Sequence, residues 1–463
     1  MRYVSTRGAA PVLGFEDVVL AGLARDGGLY VPESWPAASE DDLRRWSSLS
    51  YAQLAVEVMR PFVEGIPEDD FAAIVHETYA VPGVFHQAAV TPLRQLDAGE
   101  WLLELFHGPT LAFKDVALQL LGRLFEYILK KRGERITVVG ATSGDTGSAA
   151  IEACRDRENV TIFMLHPAGR VSEVQRRQMT TVASANVHNI AVEGTFDDCQ
   201  ALVKAMFNDH AFRDRLNLAA VNSINWARVL AQVVYYVQAS LALGGRPVDF
   251  AVPTGNFGDV FAGYVAARMG VPVNKLIVAT NINDILSRAL RSGDYSRGTV
   301  QPTISPSMDI QVSSNFERLL FDLYGGDGAR LSRLMDDFAA TGRLDIGNQQ
   351  VAAASRLFAA DRVDEDETRA TIGEVLKYNA TLIDPHTAVG IAAGRRLRSG
   401  PDVPLVTLST AHPAKFPDAV NAASGVYPSL PPHMADLMTR AERYEILPND
   451  LKSVQDHIGA RAS

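Results

Sequence analysis

Arg135-Ile-Thr-Val-Val-Gly-Ala141, Thr142-Ser-Gly-Asp-Thr-Gly147 and Ser148-Ala-Ala-Ile-Glu-Ala-Cys-Arg155 follow one another without a break. The first reads as a buried strand, the second as a turn of small residues and the third as a helix. A strand that turns directly into a helix leaves unpaired backbone N–H groups at the positive end of the helix dipole, a place that suits a phosphate or carboxylate. The layout recurs downstream: Val248-Asp-Phe-Ala-Val-Pro-Thr254 is a strand, Gly255-Asn-Phe-Gly-Asp259 the turn, and Val260-Phe-Ala-Gly-Tyr-Val-Ala-Ala-Arg268 the helix. Neither turn matches GxGxxG or GxxxxGK[ST], which argues against a nicotinamide site of the usual kind and against a nucleotide P-loop.

Around these two units the pattern continues. Further strands are expected at 159–165, 187–192, 217–221, 275–280 and 403–408, separated by stretches with helical apolar spacing. Thr195 with Asp198 fits a capping box before the helical run Gln200-Ala-Leu-Val-Lys-Ala-Met-Phe207. Alternating strands and helices imply an α/β fold of mainly parallel open sheets, with ligands at the carboxyl ends of strands. Two glycine turns at such ends suggest two lobes facing one cleft. Residues 1–90 alternate loops with short helices at 14–24, 51–59 and 69–76, so a small α-rich N-terminal domain is expected. Residues 91–463 form the two-lobed remainder. The stretch 283–345 gives mixed signals and no boundary.

Just ahead of a long amphipathic helix stands His107-Gly-Pro-Thr-Leu-Ala-Phe-Lys-Asp115. It sets one lysine between an aromatic ring and a carboxylate. An amine attacks a carbonyl only when neutral, and the ordinary lysine pKa is about 10.4. Lys114 is a Schiff-base nucleophile only if burial or cofactor chemistry lowers that value.

Composition narrows the function classes. The 463 residues carry a formal net charge of −10 and 47% hydrophobic content, enough for substantial cores and a poor match to nucleic acid or anionic membrane. Only Cys154 and Cys199 are present, which excludes a disulfide framework and offers no zinc-site spacing. No metal is expected. The first residues lack an apolar h-region, and the longest apolar run, from Val229 to Leu243, is broken by Gln232, Gln238 and Ser240. A soluble cytoplasmic protein is the expectation.

Taken together, the chain resembles the threonine synthases, pyridoxal-phosphate enzymes of the tryptophan synthase β-like group. The resemblance runs from Arg2-Tyr-Val-Ser-Thr-Arg-Gly8 and Arg25-Asp-Gly-Gly-Leu-Tyr-Val-Pro32 to Leu408-Ser-Thr-Ala-His-Pro-Ala-Lys-Phe416. Between these lie the lysine motif, both glycine turns, Val221-Asn-Ser-Ile-Asn-Trp-Ala-Arg228 and Ser307-Met-Asp-Ile-Gln-Val-Ser-Ser-Asn-Phe-Glu-Arg318. The N-terminal segment, the Asn-Ser-Ile-Asn-Trp-Ala-Arg run and the His-Pro-Ala-Lys-Phe ending look particular to the longer bacterial and fungal type.

The resemblance implies pyridoxal 5'-phosphate held as a Schiff base on Lys114. Gly255, Asn256, Phe257, Gly258 and Asp259 would cradle its phosphate, and the Thr410 hydroxyl would face its pyridine nitrogen. Ser143, Asp145 and Thr146 would hold the substrate carboxylate. Many relatives have Asn where this chain has Asp145, and an ionised carboxylate cannot donate a hydrogen bond. The implied substrate is O-phospho-L-homoserine, whose second anionic end needs its own site. Arg228, with Asn222 and Ser223, is the first choice because guanidinium grips phosphate in a bidentate fashion. Lys415 is the second. For Arg228 the competing reading is a surface ion pair, and for His412 it is simple packing. Other pyridoxal-phosphate lyases of the same fold, such as serine/threonine dehydratases or lyases of phosphorylated amino acids, stay open, as does a non-catalytic ligand-binding relative. The sequence leaves the oligomeric state undetermined.

Overall fold

The computed structural model describes residues 1–221 and 223–462. Two open sheets organise the chain. In the first, Leu218–Ala219, Ile136–Ala141, Val160–Pro167, Val187–Glu193 and Glu445–Pro448 lie side by side, all parallel. In the second, Phe358–Arg362, Val273–Thr280, Val248–Pro253, Leu405–Ser409 and Glu100–Glu104 are parallel, and Leu93–Asp97 closes the edge antiparallel. Parallel neighbours need crossover connections, and here these are helices. The α/β architecture of two mainly parallel lobes expected from the alternation is the one observed.

Two expected elements differ. The strand expected at 217–221 is only Leu218–Ala219. Asn217 adopts a left-handed backbone (φ 47°) and its side chain donates to the Arg135 carbonyl, so the chain enters the sheet edge late. The ambiguous 283–345 stretch contains helices Ile285–Ser292, Phe316–Leu323 and Gly328–Thr341, with a small antiparallel pair, Asp294–Ser296 and Arg343–Asp345. The capping box forms as expected, with the Thr195 side chain accepting from the Asp198 N–H at the start of Phe196–Asn208.

The N-terminal residues hold helices Phe15–Ala21, Glu40–Trp46, Tyr51–Met59 and Glu68–Thr78, and Tyr3–Ser5 pairs antiparallel with Tyr30–Pro32. They pack onto helix Trp226–Ala242, which is buried on nearly every side. Tyr3 donates to the Phe62 carbonyl at 2.7 Å, and the Trp226 indole N–H donates to the Tyr3 hydroxyl at 3.1 Å. This aromatic seam fixes the first turn of the buried helix, where Arg228 sits.

A second close contact sets the lysine. Gly122 lies inside helix Lys114–Arg132, where glycine costs ~1 kcal/mol relative to alanine. A Cβ there would stand 2.1 Å from the Ala153 carbonyl oxygen of helix Asp145–Cys154. The missing side chain lets the two helices touch, and each begins at a site residue.

Candidate active site

Three neighbouring strands of the six-stranded sheet deliver the site from their carboxyl ends. After Glu100–Glu104 the chain loops to Lys114, after Val248–Pro253 it enters the Gly255 turn, and after Leu405–Ser409 it reaches Thr410. The Phe113 N–H donates to the Thr410 carbonyl at 2.8 Å, tying the first and third of these loops together. The other lobe contributes Asp145, at the start of the helix that follows Ile136–Ala141.

Lys114 is buried, and its ammonium lies 3.5 Å from Asp145 Oδ2 and 4.8 Å from the Phe113 ring centre. Burial pushes its pKa down; Asp145 opposes this, while Lys415 and Arg228 reinforce it. The carboxylate beside the lysine is therefore not its chain neighbour Asp115. Asp115 turns back to accept from the Thr110 N–H and hydroxyl at 2.7 and 2.6 Å, and burial raises it to about 6 against those bonds. It closes the loop that presents the lysine. A Cβ on Gly108 would meet the Asp115 side chain at 2.5 Å, so the motif's glycine is needed for that closure.

Asp145 collects contacts from both lobes. Gln175 Nε2 donates to its Oδ1 at 2.9 Å, and Lys415 Nζ stands 3.1 Å from the same oxygen. Burial alone would raise this carboxyl, yet Lys415 and Lys114 together hold it well below the usual carboxylate range. Lys415 is fully buried, donating also to the Thr110 carbonyl and to Gln178 Oε1, both at 2.7 Å. With its donors engaged, Lys415 neutralises Asp145 and is not left free to grip a substrate phosphate.

Arg228 is the opposite case. It is 5% exposed, its Nε and Nη1 have no partner among the described residues, and burial lowers it to about 10 with no carboxylate to offset the cost. The surface ion pair is excluded by that burial. A buried guanidinium without a counter-ion carries an uncompensated desolvation cost that an anion would relieve. Ser223 is half-buried beside it in sequence, and Asn222 lies outside the described residues.

The two glycine turns differ in detail. In the first, the Thr142 hydroxyl accepts from Gly144 N–H at 3.0 Å and Gly147 N–H at 2.9 Å. Ser143 is exposed, Thr146 half-buried, and the N–H groups of Ser143, Asp145 and Thr146 have no partner among the described residues. In the second, the N–H groups of Asn256, Phe257, Gly258 and Asp259 are all without a partner among the described residues. The left-handed residue of this turn is Phe257 (φ 62°), not Gly258. A Cβ on Gly258 would stand 3.2 Å from Asn315 Nδ2, and one on Gly255 2.6 Å from the Ser307 carbonyl. The Asp259 carboxyl turns away to Tyr235 and Tyr236; burial raises it to about 6 against those two hydrogen bonds. Its charge is thus directed away from the turn, and its backbone N–H is left unpartnered among the described residues.

His412 accepts from the Ala414 N–H at 3.1 Å through Nδ1, and burial lowers it to about 4. It faces a separate cavity of about 580 Å³ whose lining, including His86, His107 and His433, contains neither Lys114 nor either glycine turn. Its packing role is the one the structure supports. Sequence reasoning missed Thr142, Gln175, Gln178 and the buried pair Asp384–His386, whose ring Nε2 accepts from the Ser307 N–H at 3.2 Å. The run Asp384-Pro-His-Thr387 at a helix start was the available signal for that pair.

A desolvated amine, a row of unspent N–H donors in front of a helix and a hydroxyl on the adjoining strand end accommodate a phosphorylated carbonyl cofactor. The profile of the pyridoxal-phosphate dependent enzymes matches residues 84–344, and this is the class that fold and site define. Profiles of the threonine synthase N terminus and C-terminal part match residues 2–79 and 387–458. A threonine synthase of Pseudomonas aeruginosa is 58% identical over 98% of this chain and 97% of its own length. A pyridoxal-phosphate-bound threonine synthase from Brucella melitensis superposes with a TM-score of 0.97 at 55% identity, covering 100% of this chain and 99% of that one. The yeast enzyme gives 0.94 at 41% identity, covering 99% and 98%. The chain belongs to the threonine synthase family, and its cofactor is pyridoxal phosphate.

Proposed function

We propose that this enzyme converts O-phospho-L-homoserine and water to L-threonine and phosphate, with Lys114 as the cofactor-bearing and proton-moving amine. The observation that carries the substrate assignment is Arg228, a buried guanidinium within electrostatic reach of Lys114 and without a counter-ion among the described residues. The bound cofactor supplies an electron sink for negative charge developing at the substrate's Cα and Cβ. Lys114, whose pKa burial lowers, takes one proton from Cα and one from Cβ and returns them at Cγ, which becomes the methyl group, and at Cα. Arg228 and Ser223 grip the phosphate that leaves Cγ, and water adds at Cβ. Ser143 and Thr146 orient the substrate carboxylate with their free N–H groups and hydroxyls. Asp145, clamped by Lys415 and Gln175, sets the charge beside Lys114. Gly255 to Asp259 would hold the cofactor phosphate on their backbone donors, and the Thr410 hydroxyl would be the partner for the ring nitrogen. A hydroxyl there, unlike a carboxylate, does not favour a protonated ring.

Residues 1–90 act as an N-terminal unit that braces helix Trp226–Ala242, and 91–463 carry the catalysis. The net charge of −10 and a metabolite substrate support a cytoplasmic enzyme without a nucleic-acid partner. Among the described residues no helix is long and apolar enough to cross a membrane.

The test is direct. The purified enzyme should release one phosphate per threonine formed from O-phospho-L-homoserine and give no such turnover with free serine or threonine. Lys114→Ala should lose the cofactor's visible absorbance and at least the ~10²–10⁴-fold attributable to proton transfer. Borohydride reduction and peptide mapping that placed the cofactor on another lysine would overturn the assignment.

A further inference from the structure

Three sequence runs that carry the family resemblance lie far apart in the chain: Thr6-Arg7, Ser223-Ile-Asn225 and Asn315-Phe-Glu-Arg318. They meet at the adjacent buried pair Glu317 and Arg318. Arg318 is fully buried; its Nε and Nη2 donate to the Tyr30 carbonyl at 3.1 and 3.0 Å, Nη2 also donates to the Ile224 carbonyl at 2.6 Å, and Nη1 donates to Asn315 Oδ1. With its oxygen so engaged, the Asn315 amide is fixed in one orientation. Its Nδ2 donates to the carbonyls of Asn256 and Ser223, both at 3.0 Å, and its backbone N–H donates to Asn256 at 3.1 Å. Glu317, the chain neighbour of Arg318, accepts from the Thr6 hydroxyl and from Arg7 Nε at 2.6 and 3.1 Å, which ties it to the N-terminal segment.

We propose that Arg318 and Asn315 are positioning residues that hold the Asn256–Gly258 turn in its phosphate-receiving shape and couple that shape to the docked N-terminal segment. Pulling the Asn256 carbonyl backwards rotates the following peptides so that their N–H groups face forward, with Phe257 left-handed. A guanidinium suits the task because its planar fork reaches three separate oxygens at once. The proposal rests on the reading that Gly255 to Asp259 receive the cofactor phosphate.

The experiment compares Asn315→Asp, Asn315→Ala and Gly258→Val by cofactor titration and by the ³¹P signal of the bound cofactor. Asn315→Asp keeps the acceptor for Arg318 and sets a second acceptor against the carbonyls of Asn256 and Ser223. It should weaken cofactor affinity about tenfold or more and shift the phosphorus resonance, with Asn315→Ala intermediate. If Gly258→Val weakens binding while both Asn315 variants match the parent in affinity and ³¹P signal, the positioning role fails and the phosphate loop stands. If Gly258→Val is also without effect, the loop assignment itself fails. Hydrogen exchange on the unaltered protein decides the matter should the variants not fold. Cofactor binding should protect the 28–32 and 315–318 amides together with those of 256–260, and protection confined to 256–260 would overturn the coupling.

Discussion

The turns 142–147 and 255–259 have the same place in the sequence pattern, each leading a parallel strand into a helix, yet they present different surfaces. In the first, one hydroxyl, Thr142, consumes two glycine N–H groups from within, and a buried carboxylate, Asp145, heads the helix between two lysines. In the second, nothing among the described residues takes the N–H groups, the loop is gripped from behind through its carbonyls, and the acidic residue at the helix start turns aside to two tyrosines. A helix N-terminus receives an anion more strongly where its donors are left unspent and nearby negative charge is turned aside or compensated. The first turn, with fewer free donors and a neutralised carboxylate, suits the weaker and transient grip that a substrate carboxylate needs.

The largest expected effect tests the cation on the cradle side of the site. Arg228→Leu should lower kcat/KM for O-phospho-L-homoserine by ~30- to several-thousand-fold, from the roughly 2–5 kcal/mol lost when one partner of a buried charged hydrogen bond is removed. The visible spectrum of the bound cofactor should be unchanged. A variant within about threefold of the parent, under ~1 kcal/mol, would remove Arg228 from substrate recognition.

Next comes the unspent turn itself. Gly258→Val introduces a contact at 3.2 Å with Asn315 Nδ2, and overpacking of this kind costs about 1–3 kcal/mol, or ~5- to 150-fold in cofactor Kd. An unchanged Kd in a folded variant would make the two turns equivalent and break the comparison.

In the spent turn, Thr142→Val leaves the N–H groups of Gly144 and Gly147 without their acceptor. The expected cost is at the lower end of the ~1–3 kcal/mol for an unsatisfied buried donor. It should appear as a raised KM for substrate with cofactor affinity held. A loss of cofactor affinity instead would show that both turns serve the cofactor.

The smallest effect is a displacement in pH. Asp145 raises the Lys114 pKa against the burial that lowers it, so Asp145→Asn should lower that pKa further. Cofactor capture by the cofactor-free protein requires the neutral amine, and its rate should therefore rise at lower pH in the variant. Stopped-flow absorbance across pH reads this; a shift to higher pH, or none, would mean that Asp145 does not set the lysine's charge.

Asp115 and Asp145 show where reading the chain succeeds and where it cannot. Strand and helix assignments for 136–141, 248–253 and the capped 196–208 helix were legible because their periodicity and end signals are local. The edge strands Phe358–Arg362 and Glu445–Pro448 were not, since one lacks β-branched residues and the other is largely exposed, leaving no apolar alternation to read. Lys114 and both turns could be picked out as candidates by residue type and motif, while Thr410 and Arg228 became candidates only through the family resemblance.

The sequence by itself determined the α/β alternation and the family, and it singled out Lys114 and the two glycine turns as candidates, because each is written in contiguous residues. Tertiary structure decided which carboxylate faces Lys114, which of Arg228 and Lys415 is free, which turn keeps its donors and why Asn315 and Arg318 matter. Those outcomes depend on burial and on partners far along the chain, and a buried charge takes its role from what surrounds it rather than from its neighbours in sequence.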